Sequence, residues 1–388
     1  MPEVYLDNSA TTRVRPEVVQ AMVVVMRENY GNPSSSYRRG QAAEQAVKKA
    51  RCQVAHVFRA EPKEIYFTSG GTESNNWALL GAARARSRRG KHLVTTQVEH
   101  PSVLEVFRSL EEQGFTVTYL PVDEYGIIDK EALAASLTPE TILVSTMYVN
   151  NEVGSIMPLA DIARLLKHKA PQALWHVDAV QGFAKLPLFP HDLGIDLVSL
   201  SGHKIQGPKG IGALFIRQGL QIPPLILGGG QEKGLRSGTE NVPGIVGLGL
   251  AAALLWEERE QAAAHMATMK RRLRERVLAE IPDAHANGPQ DDTGAPHILS
   301  LSFPGVKGEV LLHALEDKGI LVSTGSACSS HRAANSHVLT AMKLPPALVE
   351  GALRFSLSPD NTLEEIDYTV DCLQEIVPEL RRIMALNR

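Results

Sequence analysis

The sequence feature that most restricts the fold is a regular alternation of short apolar runs with longer helical patterns. β-rich runs occur at 64–68, 92–96, 115–120, 141–147, 174–178, 195–200 and 211–216. Helical patterns lie between them, beginning at Pro16 and covering 40–57, 72–87, 101–113 and 158–169. Strands that are apolar along their whole length are typical of a parallel sheet covered by helices on both faces. We therefore predict an α/β fold with a mostly parallel sheet.

A change of pattern indicates a second, smaller unit in the last third of the chain. Turns rich in Gly and Pro at 219–244 precede a long helical pattern from Gly247 to Glu280. β-like runs then follow at 297–303 and 352–358. Further helical patterns lie near 308–318, 335–343 and 362–386. This mixture predicts an α+β unit, and we place the domain junction near residue 260.

Charge and cysteine usage exclude several classes of protein. Lys plus Arg number 40 against 43 for Asp plus Glu, a net charge of −3, so no overall basic field attracts nucleic acid or a membrane surface. Cys52, Cys328 and Cys372 are far apart, which argues against a zinc site or a disulfide framework. The N-terminus does not resemble a signal or transit peptide, and the apolar stretch 244–256 is too short to span a bilayer. We expect a cytoplasmic protein without a metal.

A Gly-rich segment at 67–75, Phe-Thr-Ser-Gly-Gly-Thr-Glu-Ser-Asn, lies where a β run ends and a helical pattern begins. Glycines allow backbone N–H groups to approach an anion, and a helix N-terminus favours phosphate. The alternative is an ordinary Gly turn in which Thr72 caps the helix and Asn75 is its third residue. Because no Gly-Lys-Ser/Thr follows, the segment is not a P-loop.

The run Trp-His-Val-Asp at 175–178 is an apolar strand that ends on a carboxylate. Ligands of α/β folds bind at the carboxyl ends of parallel strands, where an acid can pair with a protonated pyridine nitrogen. Asp178 is therefore a candidate partner for such a cofactor. The alternative is that Asp178 only caps a turn or a helix.

Two lysines follow the next strand, in the segment Ser-Gly-His-Lys-Ile-Gln-Gly-Pro-Lys at 201–209. A lysine at a buried strand end loses hydration, which favours the neutral amine and allows it to condense with an aldehyde. Lys204 is the candidate, whereas Lys209, between Pro and Gly, has the context of a solvated turn. With Asp178 at the end of the neighbouring run and a phosphate cradle at 67–75, the pattern predicts a site for pyridoxal phosphate.

Taken together, the motifs resemble those of cysteine desulfurases of the NifS/IscS type, within the fold-type I, class V group of pyridoxal-phosphate enzymes. The matching segments extend over almost the full length: Tyr-Leu-Asp-Asn-Ser-Ala-Thr-Thr at 5–12, Gly-Asn-Pro-Ser-Ser at 31–35, Thr-Ser-Gly-Gly-Thr-Glu-Ser-Asn-Asn at 68–76, Glu-His at 99–100, Asn-Asn-Glu-Val-Gly at 150–154, His-Val-Asp-Ala-Val-Gln at 176–181, Ser-Gly-His-Lys at 201–204, Arg-Ser-Gly-Thr at 236–239 and Ser-Thr-Gly-Ser-Ala-Cys-Ser-Ser at 323–330. The resemblance implies a large cofactor-binding domain of residues 16–260. It implies a small domain formed by 1–15 and 261–388, which carries the loop with the catalytic cysteine.

The resemblance also implies roles for individual residues. Lys204 would hold the cofactor, Asp178 would pair with its pyridine nitrogen, and His100 would stack on its ring. The other implied cofactor ligands are Gln181 at the ring hydroxyl, Gly71, Thr72, Ser201 and His203 at the phosphate, Thr239 at the phosphate from the other subunit, and Asn151. Asn151 and Arg354 would hold the substrate carboxylate, although Arg354 could instead form a structural ion pair.

Two positions depart from the family pattern. The family commonly has Asn where Ser9 stands and His where Tyr37 stands. Neither position belongs to the implied site residues. We therefore expect these changes to affect local packing more than the reaction.

Cys328 lies in a stretch of small and polar residues without helical or strand periodicity, which predicts an exposed, mobile loop. The nearby His331 and Arg332 would favour the thiolate. Cys52 and Cys372 lie in helical patterns between apolar neighbours, so we expect both to be buried. Cys328 alone would then be alkylated rapidly.

The implied reaction converts L-cysteine to L-alanine and leaves the sulfur as a persulfide on Cys328. Lys204 would act as the base and His100 as the acid or base at the substrate thiol. The family implies a homodimer and a sulfur-acceptor protein of iron–sulfur cluster assembly or of tRNA or cofactor thiolation. Alternatives are an aminotransferase, a selenocysteine lyase, or a binding protein such as a sulfur-carrier scaffold or a regulator.

Overall fold

The secondary structure follows the predicted alternation closely. The computed structural model describes residues 3–325 and 335–386. Its strands are β1 Val4–Tyr5, β2 Ile65–Thr68, β3 His92–Thr96, β4 Thr116–Leu120, β5 Thr141–Met147, β6 Leu174–Asp178, β7 Leu197–Ser201, β8 Gly212–Ile216, β9 His285–Asn287, β10 Ile298–Ser302, β11 Ile320–Leu321 and β12 Ala352–Ser356. Its helices are α1 Pro16–Arg27, α2 Arg38–Phe58, α3 Gly71–Arg86, α4 Pro101–Glu112, α5 Lys130–Ser136, α6 Leu159–Lys169, α7 Pro190–Leu193, α8 Val242–Glu280, α9 Gly308–Glu316, α10 His337–Ala341, α11 Pro346–Glu350 and α12 Leu363–Leu386.

A seven-stranded sheet with the order β2-β8-β7-β6-β5-β3-β4 forms the centre of the larger unit. β8 runs antiparallel to β2 and β7, and the other neighbouring strands pair in parallel. Successive residues of β5, Leu143 and Val144, belong to hydrophobic clusters on opposite faces, as do Leu197 and Val198 of β7. The predicted α/β class with a mostly parallel sheet is confirmed. Burial on both faces explains why these strands are apolar without alternation.

The smaller unit is built on the antiparallel sheet β12-β10-β9. Residues of α9, α12 and the second half of α8 pack on it in a separate hydrophobic cluster, which Val4 and Leu6 of the N-terminal segment join. β1 pairs in parallel with β11 beside this cluster. The predicted fold-type I arrangement, a large parallel-sheet unit followed by a small α+β unit, has this form.

α8 connects the two units as one continuous helix of 39 residues. Its residue Trp256 packs in a cluster of the large sheet, whereas Ala262 and Met266 pack in the cluster of the small unit. The change of partner between these residues is compatible with a junction at residue 260, although the boundary stays a prediction. Over 3–325 and 335–386, no helix is both long and apolar enough to cross a membrane.

Candidate active site

The candidate site lies where the strands of the large sheet end. β2, β3, β5, β6 and β7 all have their carboxyl ends at this edge, and the segments that follow them surround a cavity of about 380 Å³. The cavity is lined by Ser9, Ala10, Gly71, Thr72, Asn75, His100, Ser102, Met147, Val149, Asn151, Asp178, Val180, Gln181, Ser201, His203, Lys204, Gly325 and Arg354. The carboxyl edge of a parallel sheet is the usual ligand site of α/β folds. With the exceptions of Thr239 and Cys328, every residue predicted for the site lines this cavity.

The N-terminus of α3 forms one end of the cavity. Gly70 is the N-cap residue, so Gly71 and Thr72 belong to the first turn, and the alternative in which Thr72 caps the helix is wrong. A Cβ at Gly71 would lie 2.7 Å from the Val180 Cγ2 atom, which explains the glycine at this close approach. Ser201 and His203, at the end of β7, line the same cavity. A helix N-terminus beside hydroxyl and imidazole groups is a suitable site for a phosphate.

Asp178 is buried at the end of β6 and is held by directed hydrogen bonds. Its Oδ1 accepts from the Val180 N–H at 2.9 Å, and its Oδ2 accepts from the Asn75 Nδ2 at 2.8 Å. Asn75 also donates to the Ser102 Oγ at 2.9 Å, which lies 2.8 Å from the Nδ1 of His100. Asp178 and His100 are therefore connected through two polar side chains.

His100 is the N-cap residue of α4, and its orientation is set by that position. Its Nδ1 accepts a hydrogen bond from the Ser102 backbone N–H at 3.1 Å. The neutral ring therefore carries its proton on Nε2. Burial lowers the pKa of His100, and the charge of Lys204 lowers it further, while Asp178 acts in the opposite direction. The imidazole is thus arranged to remain neutral and to donate from Nε2.

Lys204 is half-buried, in a short 3-10 turn that directly follows β7. Its Nζ donates to the carbonyl oxygens of Ser9 at 2.5 Å and Ala10 at 2.7 Å. Lys209, the other candidate, is exposed and does not line the cavity. The structure therefore places Lys204, and not Lys209, in the same cavity as Asp178.

A second amine lies nearby that the sequence did not indicate. Lys185 is buried, and its pKa is lowered to about 7 by burial and by the charge of Lys204. Its N–H is bonded to the Gly182 carbonyl, in the turn that follows Gln181. Lys185 does not line the cavity, so Lys204 is the amine in position to meet a ligand.

Gln181 and Ser9 meet beside Lys204. The Nε2 of Gln181 donates to the Ser9 carbonyl oxygen at 3.0 Å. The Gln181 Oε1 and the Ser9 Oγ are both buried without a hydrogen-bond partner among the described residues. Ser9 therefore belongs to the site itself, which corrects the expectation that its departure from the family pattern concerns packing. Tyr37, the other departure, is 61% exposed and lies outside the cavity.

Arg354, on β12, brings the small unit into the cavity. Its Nη2 donates to the Asp7 Oδ1 at 2.7 Å, and its Nη1 donates to the Asn151 carbonyl oxygen at 2.9 Å. Its Nε is buried and has no hydrogen-bond partner within the part of the chain that the structure describes. The ion pair with Asp7 orients the guanidinium, and a donor is left over for a ligand in the cavity.

The remaining predicted residues lie elsewhere. Thr239 is exposed and lines surface grooves, one of them with Met26 and Tyr30, so its predicted role depends on a second subunit. Cys328 lies outside the described residues. Cys372 is buried as expected, but Cys52 is exposed on α2, because it lies on the solvent side of a helix that is only partly covered. The expectation that Cys52 is buried is wrong.

Several residues of the site escaped the sequence prediction. Asn75 stands inside a recognised motif, yet its link to Asp178 depends on the packing of α3 against β6. Asp7 stands in the matching segment 5–12, but its partner Arg354 lies far away in the chain, as does Asn75, one of the partners of Ser102. A hydroxyl side chain two residues after an N-cap histidine was the available signal for Ser102.

Comparisons with known proteins agree over the whole length. The sequence profile of the Aminotransferase class-V family matches residues 4–369. "Cysteine desulfurase IscS" of Methanosarcina thermophila is 48% identical over 384 residues, covering 99% of this chain and 94% of that protein. "Cysteine desulfurase" of Trichormus azollae is 46% identical over 383 residues, covering 99% of this chain and 95% of that protein.

Solved structures give the same picture. A structure titled "NIFS-LIKE PROTEIN" has a TM-score of 0.92 and 43% identity, covering 97% of this chain and 100% of that one. A structure titled "SspA in complex with cysteine" has a TM-score of 0.80 and 35% identity, covering 92% of this chain and 100% of that one.

His176, on the strand that ends at Asp178, leads to a prediction for the pH dependence of stability. His176 is completely buried between the Ser145 and Ser199 hydroxyls, and burial lowers its pKa to about 3. The unfolded chain binds a proton at this histidine near pH 6.5, and the folded chain does not. The free energy of unfolding should therefore fall as the pH drops from 6.5 towards 3, by at most about 1.4 kcal/mol per pH unit from this group. In urea unfolding measured at several pH values, the free energy of unfolding of His176→Gln should fall less steeply with decreasing pH than that of the parent. An unchanged dependence on pH would contradict a neutral His176.

Proposed function

The chain belongs to the class-V aminotransferase family, and we propose that it is a pyridoxal-phosphate-dependent cysteine desulfurase, which converts L-cysteine to L-alanine and passes the sulfur to Cys328. The observation that carries this proposal is the composition of one cavity. Lys204, Asp178 and His100 line it, together with Gly325, three residues before Cys328. The cavity thus contains an amine, a carboxylate and an imidazole, and the residue three positions before the cysteine lines it as well.

The residues of the cavity fit pyridoxal phosphate. Its phosphate would lie at the N-terminus of α3, near Ser201 and His203, and its aldehyde would meet Lys204. Asp178 would hold the pyridine nitrogen, and the Gln181 Oε1, buried without a partner in the described chain, would gain one at the ring hydroxyl. When bound, the cofactor supplies an electron sink for the carbanion formed at the substrate Cα.

The substrate carboxylate would be held at the small-unit side of the cavity. The Arg354 Nε is a buried donor without a partner in the described residues, and Asp7 and Asn151 keep the guanidinium in place. Charge-assisted hydrogen bonds from Arg to a carboxylate are strong and directional. Asn151 belongs to the same wall, and its side chain can complete the binding of the carboxylate.

Three side chains would carry out the proton and sulfur transfers. The amine of Lys204 takes the α-proton of the substrate and returns a proton during formation of alanine. His100, neutral with its proton on Nε2, exchanges a proton with the substrate thiol. The Cys328 thiolate attacks the substrate sulfur, so that a persulfide forms on Cys328 while the bond between that sulfur and the substrate carbon breaks. The persulfide sulfur then passes to an acceptor protein, of iron–sulfur cluster assembly or of tRNA or cofactor thiolation.

An aminotransferase or a selenocysteine lyase would use Lys204 and Asp178 in the same way as a desulfurase. A protein that only binds a ligand would need neither a base nor a thiol. An aminotransferase releases a keto acid and has no use for Cys328. The products therefore discriminate: a desulfurase releases alanine and, with a reductant, sulfide. The yellow protein should yield both from L-cysteine.

A homodimer is part of the proposal because Thr239 lies away from the cavity. Its groove also contains Met26 and Tyr30, which are 53% and 64% exposed, and Leu227 of a nearby loop is 81% exposed. Large exposed apolar side chains around a predicted phosphate ligand are suited to a subunit contact. Thr239 would then reach the phosphate of the partner subunit.

Lys204→Ala should abolish covalent attachment of pyridoxal phosphate, because Lys204 is the lysine that lines the cavity. Borohydride reduction of the parent followed by peptide mapping should find the cofactor on Lys204. Lys209→Ala, a matched change at an exposed lysine, should retain colour and covalent attachment. A reduced adduct on Lys185 or Lys209 would refute the assignment.

Thr239→Ala should weaken binding of pyridoxal phosphate about tenfold, because one hydrogen bond to a charged group is lost. Sedimentation should show a dimer for the parent and for the variant. Thr268→Ala, at an exposed threonine of α8, is the control and should leave cofactor affinity unchanged. A fully active monomer would contradict the proposed role of Thr239.

Cys328→Ser should separate the two halves of the reaction, since a hydroxyl is a far poorer nucleophile towards sulfur than a thiolate. Cofactor binding and the absorbance change on adding cysteine should survive, whereas alanine formation should nearly vanish. Because Cys52 is exposed, rapid alkylation does not by itself identify the nucleophile. Mass spectrometry of the persulfide decides instead, and its location on Cys52 or Cys372 would refute the assignment.

A further inference from the structure

Glu152 is a buried carboxylate to which the sequence assigned no role. It lies in the segment 150–154 that follows β5, and only 4% of the residue is exposed. Placing a carboxylate in the interior is costly unless hydrogen bonds compensate for the lost water. Its contacts within the described chain therefore indicate what the residue is for.

One contact is with the chain just before Cys328. Gly325 has a φ of +83°, a conformation that favours glycine, and it lines the active-site cavity. The position of a Cβ on Gly325 would lie 3.0 Å from the Glu152 Oε2. The Gly325 N–H donates to the Ser323 Oγ at 3.2 Å, and Ser323 forms a β-bridge with Arg354. Gly325 thus lies where a side chain would crowd the Glu152 carboxylate, and Ser323 is paired with the predicted substrate arginine.

The second contact is with the chain after Cys328. The Ser336 Oγ donates to the same oxygen, Glu152 Oε2, at 2.5 Å. Ser336 is also the N-cap residue of α10 and accepts from the Leu339 N–H at 3.0 Å. The next residue, His337, has its Nε2 3.0 Å from the carbonyl oxygen of Glu99, which precedes His100. Ser336, through a hydrogen bond, and Gly325, through proximity, therefore lie beside the same carboxylate oxygen.

Glu152 is itself fixed relative to the predicted substrate ligands. The Asn150 Oδ1 accepts from the N–H groups of Glu152 at 2.9 Å and Val153 at 3.0 Å, which locks the turn. In the middle of that turn, the Asn151 carbonyl accepts from Arg354. The anchor of the Cys328 segment and the substrate-carboxylate side of the cavity thus belong to one hydrogen-bonded unit.

We propose that Glu152 is a positioning residue, which fixes Ser336, after the segment carrying Cys328, next to Gly325, before that segment, and in a set place relative to Asn151 and Arg354. The proposal rests on the desulfurase function proposed above. Bringing the two ends of a segment together costs conformational entropy, and a hydrogen bond that keeps Ser336 close to Gly325 removes part of that cost from the sulfur-transfer step. Glu152 therefore sets the rate of sulfur transfer and leaves cofactor and substrate binding unchanged.

A double-mutant cycle in the holoenzyme tests this role. Glu152→Ala and Ser336→Ala each remove the shared hydrogen bond, and each should lower kcat for alanine formation about tenfold, with KM for cysteine and the absorbance change on adding cysteine unaltered. The double variant should be no slower than the slower single variant, because both changes break the same contact. Glu152→Gln, which retains an acceptor oxygen, should recover most of kcat. Additive losses, or a loss confined to KM, would overturn the proposal.

A control must show that a lower kcat does not result merely from a less stable protein. Asp129→Ala is the matched control, because Asp129 caps α5 through the Glu131 and Ala132 N–H groups and does not line the cavity. It should lower the unfolding temperature as Ser336→Ala does, through a lost helix cap, and leave kcat unchanged. An equal fall in kcat for Asp129→Ala would overturn the positioning role. If Glu152→Ala does not fold, Ser336→Ala with rescue by Ser336→Thr carries the test.

Failure of the proposed function gives a different result from failure of this inference. A parent enzyme that releases no alanine from cysteine refutes the function, whatever the variants do. The rate of Cys328 alkylation, followed by peptide mass spectrometry, reports on the anchor without turnover. Glu152→Ala and Ser336→Ala should change that rate to the same extent and without additivity, and unchanged rates would refute the anchor.

Discussion

The parallel register of β5, β6 and β7 is the constraint on which the site depends. Met147 is paired with Asp178, and Asp178 is paired with Ser199, so the three strands end within a few residues of one another. The segments that follow them carry Asn151, Gln181 and Lys204 to one edge. Because side chains alternate between the faces of a strand, a shift of one residue would turn Asp178 away from Asn75 and from the cavity.

The N-terminal segment joins the two units around this edge. The Ser9 carbonyl accepts from Gln181 and Lys204, and the Asp7 carboxylate accepts from Arg354. The Asn8 Nδ2 donates to the Ser356 carbonyl oxygen, at the end of β12. Side chains from both sheets are thus oriented by a few consecutive residues near the start of the chain, and the cavity is completed only when that segment is in place.

Local pattern was enough to predict the large sheet, because its central strands, β5 to β8, are buried along their whole length and are mostly apolar. It was not enough for β1, β9 and β11, which have two or three residues and depend on their pairing partners. Motifs identified Asp178 and Lys204, but the links through Asn75 and Ser102 result from the packing of α3 and α4. Cys52 shows the limit of composition, since apolar neighbours along a helix do not reveal which side faces solvent.

Burial shifts the pKa values of His203, which lines the cavity, and of Glu99, next to His100, towards the neutral forms. It lowers the pKa of His203 to about 4, with added effects from Lys204, Lys209 and Lys185, and raises the pKa of Glu99 to about 8. Near pH 7 the imidazole of His203 is therefore neutral, and so is the carboxyl of Glu99. A phosphate entering the cavity would then meet the N–H dipoles at the N-terminus of α3 and the Ser201 hydroxyl. Binding through dipoles is directional, so these groups would set the orientation of a bound phosphate ester as well as its position.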